Sequence, residues 1–169
     1  TINKSTDYFN TKLYTGTGST ASITGVGFQP DFSWIKVRNN TDNHVVFDAV
    51  RSATKRLEPN VTDAEATISN ELTAFNSDGF SIGGADRVNR NNDTYASWNW
   101  KAGTSFTNDA SATGIGTIDS TGSVNTDAGF SIISYTGNGS AGATVAHGLG
   151  AVPKMIIFKR RGSGGWNVY

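Results

Sequence analysis

Cysteine is absent from the 169-residue sequence, so the chain has no disulfide and no thiolate metal site. Charged residues make up only 17% of it, and 14 basic residues balance 14 acidic ones. A net charge of zero argues against a nucleic-acid surface, which carries a basic excess. No apolar run approaches the ~18 residues of a membrane span, and no signal peptide is visible. We therefore expect no nucleic-acid partner and no membrane insertion.

Leucine is scarce as well, with 4 residues against 11 Ile and 11 Val. The sequence is instead rich in small and polar residues, with 21 Thr, 20 Gly, 17 Ser and 16 Asn. A β-branched, hydroxyl-rich composition of this kind is typical of all-β extracellular or virion-type domains. The 9 Phe, 5 Tyr and 4 Trp supply enough large apolar side chains for a folded core.

An internal repeat organises the chain. The segment Tyr14-Thr15-Gly16-Thr17-Gly18-Ser19 returns 121 positions later as Tyr135-Thr136-Gly137-Asn138-Gly139-Ser140. Residues 23–38 and 145–161 follow in the same order, and after small gaps their offset is 123. We therefore divide the chain into a complete β-sandwich module at 1–103, a linker at 104–122 in which strand pairing stays open, and the opening portion of a second copy at 123–169.

Short β-branched or aromatic runs bounded by Gly, Asn, Asp or Pro predict strands along most of the chain. In one of them Ala96, Trp98 and Trp100 alternate with residues of the opposite face. A capping box at Thr62-Asp63-Ala64-Glu65 predicts one short helix over 64–72. The strand pattern predicts an all-β fold, with antiparallel strands in a sandwich or a barrel and at most one short helix.

An oxygen-rich loop is the one candidate metal site. It contains Asp86, Asn89, Asn91 and Asp93, and it lies between two predicted strands. Carboxylate and amide oxygens are the ligands that Ca²⁺ takes, so calcium is the one cofactor considered. The alternative is a solvated Asn/Asp turn that begins the next strand.

The tryptophans offer a candidate carbohydrate-binding surface. Trp98, Trp100 and Trp166 have flat apolar faces of the kind that stack on sugar rings. The alternative for Trp98 and Trp100 is a place in the core, because both lie on one face of a predicted central strand. For Trp166, which follows a glycine-rich stretch, both interpretations stay open.

Catalytic motifs are weak or absent. Residues 137–142 fit the dinucleotide pattern G-x-G-x-x-G, but a predicted strand follows where phosphate binding needs a helix. His44 and His147 lie at non-equivalent positions, and Glu58, Glu65 and Glu71 do not alternate with Asp along a strand. We therefore expect no enzyme activity.

Several motifs in combination resemble a repeated module of virion and tail-fibre proteins from marine bacteriophages, cyanophages and pelagiphages in particular. The motifs of the first copy are Tyr14-Thr15-Gly16-x-Gly18-Ser19, Gly27-Phe28-Gln29-Pro30, Phe47-Asp48-x-Val50-Arg51, Asn76-Ser77-Asp78-Gly79-Phe80 and Trp98-x-Trp100-Lys101-Ala102-Gly103. The second copy contributes His147-Gly148-Leu149-Gly150-x-x-Pro153 and Trp166-x-Val168-Tyr169. The resemblance implies an antiparallel β-sandwich of the jelly-roll, concanavalin-like or laminin-G-like type, which is the fold that we expect, and it carries over no catalytic residues.

The resemblance also implies a function. It predicts a structural module of a tail fibre or spike that serves architecture and host-surface attachment, located on the virion and extracellular when free. Its expected partners are copies of itself, neighbouring virion proteins or a host-surface glycan. The competing hypothesis is a non-catalytic lectin module that grips sugar with its tryptophans.

Overall fold

The computed structural model describes residues 4–169, and strands dominate it. The strands are β1 (Phe9–Thr15), β2 (Ala21–Thr24), β3 (Phe32–Val37), β4 (Val45–Asp48), β5 (Ser52–Leu57), β6 (Ala66–Thr67), β7 (Leu72–Asn76), β8 (Gly79–Ile82), β9 (Thr94–Trp100), β10 (Thr104–Asn108), β11 (Ser120–Asn125), β12 (Phe130–Tyr135), β13 (Ile157–Lys159) and β14 (Trp166–Val168). Two short helices, α1 (Asp86–Asn89) and α2 (Ala110–Thr113), and a 3₁₀ turn at Ser5–Asp7 complete the description. The predicted all-β fold class is confirmed, but the structure contains two short helices where at most one was predicted.

Two antiparallel sheets form a sandwich over the first part of the chain. The larger has six strands in the order β1-β9-β3-β4-β5-β6, and the smaller has three in the order β2-β8-β7. Their facing sides bury one continuous apolar cluster. Its buried members are Ile23, Ile35, Val37, Val45, Phe47, Leu72, Phe80, Ile82, Val88 and Tyr95. Burial of this apolar area is the main term that holds the two sheets together.

The inner face of the large sheet also buries a polar ladder. Ser33, Ser97 and Asn99 are each 0% exposed. Ser33 Oγ donates a 2.8 Å hydrogen bond to Asn99 Oδ1, and Asn99 Nδ2 donates a 3.0 Å bond to Ser97 Oγ. Because each of these three side chains has a hydrogen-bond partner, the hydroxyl-rich and amide-rich composition is compatible with a packed interior.

The helix predicted over 64–72 is wrong. This segment contains the two-residue strand β6 and the beginning of β7. Thr67 pairs with Lys55 of β5, and the Ile68 amide donates to the Thr54 carbonyl 2.9 Å away. These strand pairings outweigh a local capping signal, as tertiary context often does. Neither helix in residues 4–169 has the length and apolar character needed to cross a membrane.

The later part of the chain forms two further antiparallel sheets. One has the order β10-β11-β12, and the other is the hairpin β13-β14. The interval 104–122 contains β10, α2 and the beginning of β11, and β10 pairs with β11 from Thr104↔Val124 to Asn108↔Ser120. At offsets of 121 and 123, β12 corresponds to β1, and β13 with β14 to β3 with β4.

Candidate functional site

Aromatic side chains gather on the outer side of the six-stranded sheet, away from the core. We call this surface the aromatic face and define it by Phe9, Phe32, Trp34, Trp98 and Trp100. Cross-strand register places these residues there. Phe9, Trp100 and Phe32 lie side by side in one row across β1, β9 and β3, and Thr11, Trp98 and Trp34 form the next row. Such neighbours have Cβ atoms about 5 Å apart, so their rings meet.

Trp100 lies at the centre of a ring cluster. Its centroid is 4.8 Å from that of Phe9 and 5.5 Å from that of Phe32. Phe130, the first residue of β12, stacks on Trp100 at 6.2 Å and meets Phe32 edge-on at the same distance. The later part of the chain therefore packs on the earlier part through the aromatic face. Trp100 is half-buried and engaged on several sides.

The other half of the aromatic face is formed by Trp34 and Trp98. Trp98 is half-buried, and its neighbour Trp34 donates a 2.9 Å hydrogen bond from Nε1 to His44 Nδ1. Burial and then the Lys36 charge lower the pKa of His44 below its ordinary value. The imidazole is therefore neutral at pH 7, as an acceptor must be. This bond fixes the Trp34 ring beside Trp98.

Trp166 has different neighbours from the other two predicted tryptophans. It lies on β14, is half-buried, and donates a 3.0 Å hydrogen bond from Nε1 to the Glu58 carbonyl. The indole N–H of Trp166 is therefore bonded to the segment that follows β5. The structure brings Trp98 and Trp100 together on one face and gives Trp166 a separate place in the hairpin.

An ion pair and backbone bonds dock the β13-β14 hairpin on the segment before β6. Arg161 approaches the two carboxylate oxygens of Glu65 at 3.0 and 2.7 Å, and the Glu65 amide donates to the Arg161 carbonyl at 2.7 Å. The Gly164 amide donates to the Thr62 carbonyl at 2.8 Å. Burial pushes the pKa of Glu65 upward, but hydrogen bonds from Arg161 and Arg51 outweigh it and leave the pKa below its ordinary value. Glu65 is therefore a carboxylate at neutral pH.

The predicted calcium loop contains a structural asparagine. Asn89 is 0% exposed, and its Oδ1 accepts a 2.7 Å hydrogen bond from the Thr17 amide. Its Nδ2 donates to the carbonyls of Gly83, at 2.8 Å, and Ser19. The side chain thus ties α1 to two backbone segments, and its oxygen is already in use.

The acidic residues of the same loop face an arginine. Arg90 pairs with Asp42 at 3.0 Å, Asp93 at 3.1 Å and Asp86 at 3.2 Å. Asn91 is exposed. Residues 4–169 bring together no group of three or more His, Cys, Asp or Glu side chains suited to a metal ion. Calcium binding here stays a prediction, and the observed geometry is that of an arginine shared by three carboxylates.

Sequence reasoning missed a buried cluster of charges. Glu58 and Glu71 are 4% and 2% exposed, and they pair with Arg87 and Arg56 respectively. Burial raises the pKa of Glu71, and the charge of Arg56 opposes that shift only in part. Arg56 and Glu58 are two positions apart, but Glu71 and Arg87 come from later parts of the chain, so no local motif predicts the cluster. Both carboxylates serve as partners of arginines.

A two-sheet β-sandwich, followed by further antiparallel strands that pack on its aromatic face through Phe130, defines the class of protein. The family model described as a domain of unknown function, DUF7483, matches residues 4–169. The chain belongs to this family. No curated protein and no solved structure matches the chain.

Proposed function

We propose that this chain is a structural, non-enzymatic β-sandwich repeat of a bacteriophage virion appendage, a tail fibre or spike, that serves architecture and host-surface attachment. The motifs that resemble modules of marine phage virion proteins support the assignment to a phage particle. The internal repeat supports an array of similar units, because tandem copies of one unit present the same loops at regular intervals.

One observation carries the structural part of the proposal. Phe130 of the second copy packs on Trp100 and Phe32 of the first. The large sheet thus places part of its outer aromatic surface against the following unit. Arg161 and Glu65 add a charged contact at a second point. A unit that contacts its successor at two separate points is suited to a chain of modules with a defined spacing.

Buried charges support the non-enzymatic part. Acid-base catalysis needs a carboxyl group of shifted pKa that reaches a substrate. Glu71 has a raised pKa, yet it is 2% exposed and its carboxylate pairs with Arg56. Its environment supports an internal structural role.

Immunogold electron microscopy tests the proposal. Antibodies raised against this chain would be applied to purified particles of a phage that carries its gene. We expect gold at an appendage of the particle. Protein that is abundant in infected cells but missing from purified particles would contradict a virion function.

A lectin module is the second proposed function, and Trp98 supports it. This residue is half-buried on the aromatic face, one row away from the ring cluster that Phe130 covers. Its position leaves part of an indole surface open to a sugar ring. A glycan array probed with the full chain and with a Trp98→Ala variant tests this function, which requires binding that the variant loses.

A further inference from the structure

One dipeptide in the loop after β12 has a reactive sequence. Asn138 is followed by Gly139, and it is the one asparagine of 16 in the chain that precedes a glycine. Glycine has no side chain to hinder the approach of its backbone nitrogen to the side chain of the residue before it. Asn138 can therefore react with the Gly139 amide, provided that the fold leaves both groups free.

The loop that contains this pair is exposed. Residues 136–142, which follow β12, are all exposed to solvent. A Cβ atom added at Gly137, Gly139 or Gly142 would meet no atom within 4 Å outside the adjoining residues. Surface loops of small residues have the backbone freedom that closure of a ring requires.

A local hydrogen bond holds the Asn138 side chain against its own backbone. Asn138 Oδ1 accepts a 3.0 Å bond from the Ser140 amide. This arrangement is an Asx turn, and the bond spans Gly139, so the side-chain carbonyl folds back along the peptide that contains the Gly139 nitrogen. A donor on Oδ1 also stabilises the negative charge that develops on this oxygen when a nucleophile adds to the carbonyl carbon.

Neither nitrogen of the reaction is bonded to the described chain. Within residues 4–169, the Gly139 amide, which would attack, donates to no protein acceptor. Asn138 Nδ2, which would leave, donates no hydrogen bond to these residues either. Both nitrogens therefore face solvent, and no bond has to break before the attack.

The corresponding loop of the first copy is protected. At the offset of 121, Asn138 and Gly139 correspond to Thr17 and Gly18. The Gly18 amide donates a 2.8 Å bond to the Asn89 carbonyl, and the Thr17 amide donates a 2.7 Å bond to Asn89 Oδ1. The first copy thus has no reactive side chain at this position, and its glycine nitrogen is already in use.

The one Asp-Gly pair of the chain, Asp78-Gly79, is held in place. Asp78 Oδ1 accepts a 2.6 Å bond from the Gly27 amide, and Oδ2 accepts a 2.9 Å bond from the Gly25 amide. Gly79 lies in β8, where an added Cβ would be 2.0 Å from the Ile23 carbonyl oxygen. Ring closure at Asp78 would therefore disrupt the pairing of β8 with β2.

We propose that Asn138 is a site of spontaneous covalent modification, at which the exposed loop converts a side-chain amide into a carboxylate without an enzyme. The Gly139 nitrogen loses its proton to water and bonds to Cγ of Asn138. The bond from Cγ to Nδ2 breaks, and Nδ2 leaves as ammonia. Water then opens the five-membered succinimide at either carbonyl, which gives isoaspartate or aspartate with no change of oxidation state. The reaction adds one negative charge to a chain whose formal net charge is zero, and the proposal is independent of the virion function.

Peptide mapping by mass spectrometry tests the proposal on the full chain. The protein is incubated near neutral pH in water labelled with heavy oxygen, and samples are digested after increasing times. We expect the peptide that contains Asn138 to gain one heavy oxygen atom at least tenfold faster than any other asparagine-containing peptide, with isoaspartate as the main product. Isoaspartate forms through the cyclic intermediate and not by direct hydrolysis of the amide. Equal rates at all asparagines, or aspartate without isoaspartate, would overturn the proposal.

Two variants separate the effect of the loop from that of the dipeptide. Asn138→Gln lengthens the side chain, so that attack has to close a less favourable six-membered ring, and we expect modification there to slow at least tenfold. Thr17→Asn is the matched control, because it places a second Asn-Gly pair in the exposed loop of the first copy, where the Gly18 amide is bonded to Asn89. We expect this new pair to react at least tenfold more slowly than Asn138. Equal rates at the two pairs would contradict the role of the exposed loop and with it the proposal.

Discussion

At the residue scale, Asn89 shows how much one buried amide contributes. It joins α1 to the Thr17 amide and to the carbonyls of Gly83 and Ser19. Asn89→Ala leaves these groups without their partner in a buried place. We expect the free energy of unfolding to fall by about 3 kcal/mol, measured by urea denaturation.

Asn91→Ala is the control for this prediction. Asn91 lies two positions away and is exposed, so its replacement should change the free energy of unfolding by less than about 0.5 kcal/mol. Equal decreases in the free energy of unfolding of the two variants would contradict the structural role of the Asn89 side chain. The sequence placed both residues in one candidate calcium loop, because both have amide oxygens. It does not show that Asn89 is buried and bonded to distant segments.

At the scale of elements, Glu65 explains why local signals failed over 64–72. A capping box requires its Glu to turn back to the helix start. Here Glu65 instead bonds Arg51 and Arg161, and Arg161 is 96 positions away in sequence. Strand alternation, in contrast, is a local property, and it placed Trp98 and Trp100 correctly on one face. Periodic elements were therefore predictable, and an element determined by a distant ion pair was not.

Hairpin docking at Glu65 should depend on pH. The pKa of Glu65 in the folded chain lies below its ordinary value of 4.5, so its stabilising contribution is complete above pH 4.5. That contribution is lost as the pH falls through the lowered folded pKa. We expect the exchange protection of the Gly164 amide, which bonds Thr62, to drop several-fold over this range.

A Glu65→Gln variant separates this effect from general acid unfolding. Its docking should be weaker at neutral pH, and Gly164 protection should no longer change between pH 6 and about pH 3.5. The raised pKa of Glu71 acts in the opposite direction, because its protonation on acidification relieves a buried charge. A local readout at Gly164 is therefore needed. Unchanged protection of Gly164 in the original chain would contradict the role of Glu65.

At the scale of the whole molecule, the repeat was readable in the sequence but the contact between its copies was not. The spacing of Tyr14 and Tyr135 reveals two copies at once. The packing of Phe130 on Trp100 depends on a sheet whose rows are set by strand register, and no spacing encodes it. The sequence thus predicted that Trp98 and Trp100 share one surface. It did not predict that Phe130 packs on that surface.

A double-mutant cycle measures this contact between the copies. Aromatic pairs contribute about 1 kcal/mol beyond the area that they bury. We expect Phe130→Ala and Trp100→Ala to be non-additive by about that amount in the free energy of unfolding, measured by urea denaturation. Tyr169→Ala, at an aromatic residue that is 89% exposed, should be additive with Trp100→Ala. Additivity of both pairs would mean that the copies do not pack through these rings, and the array would lose its main support.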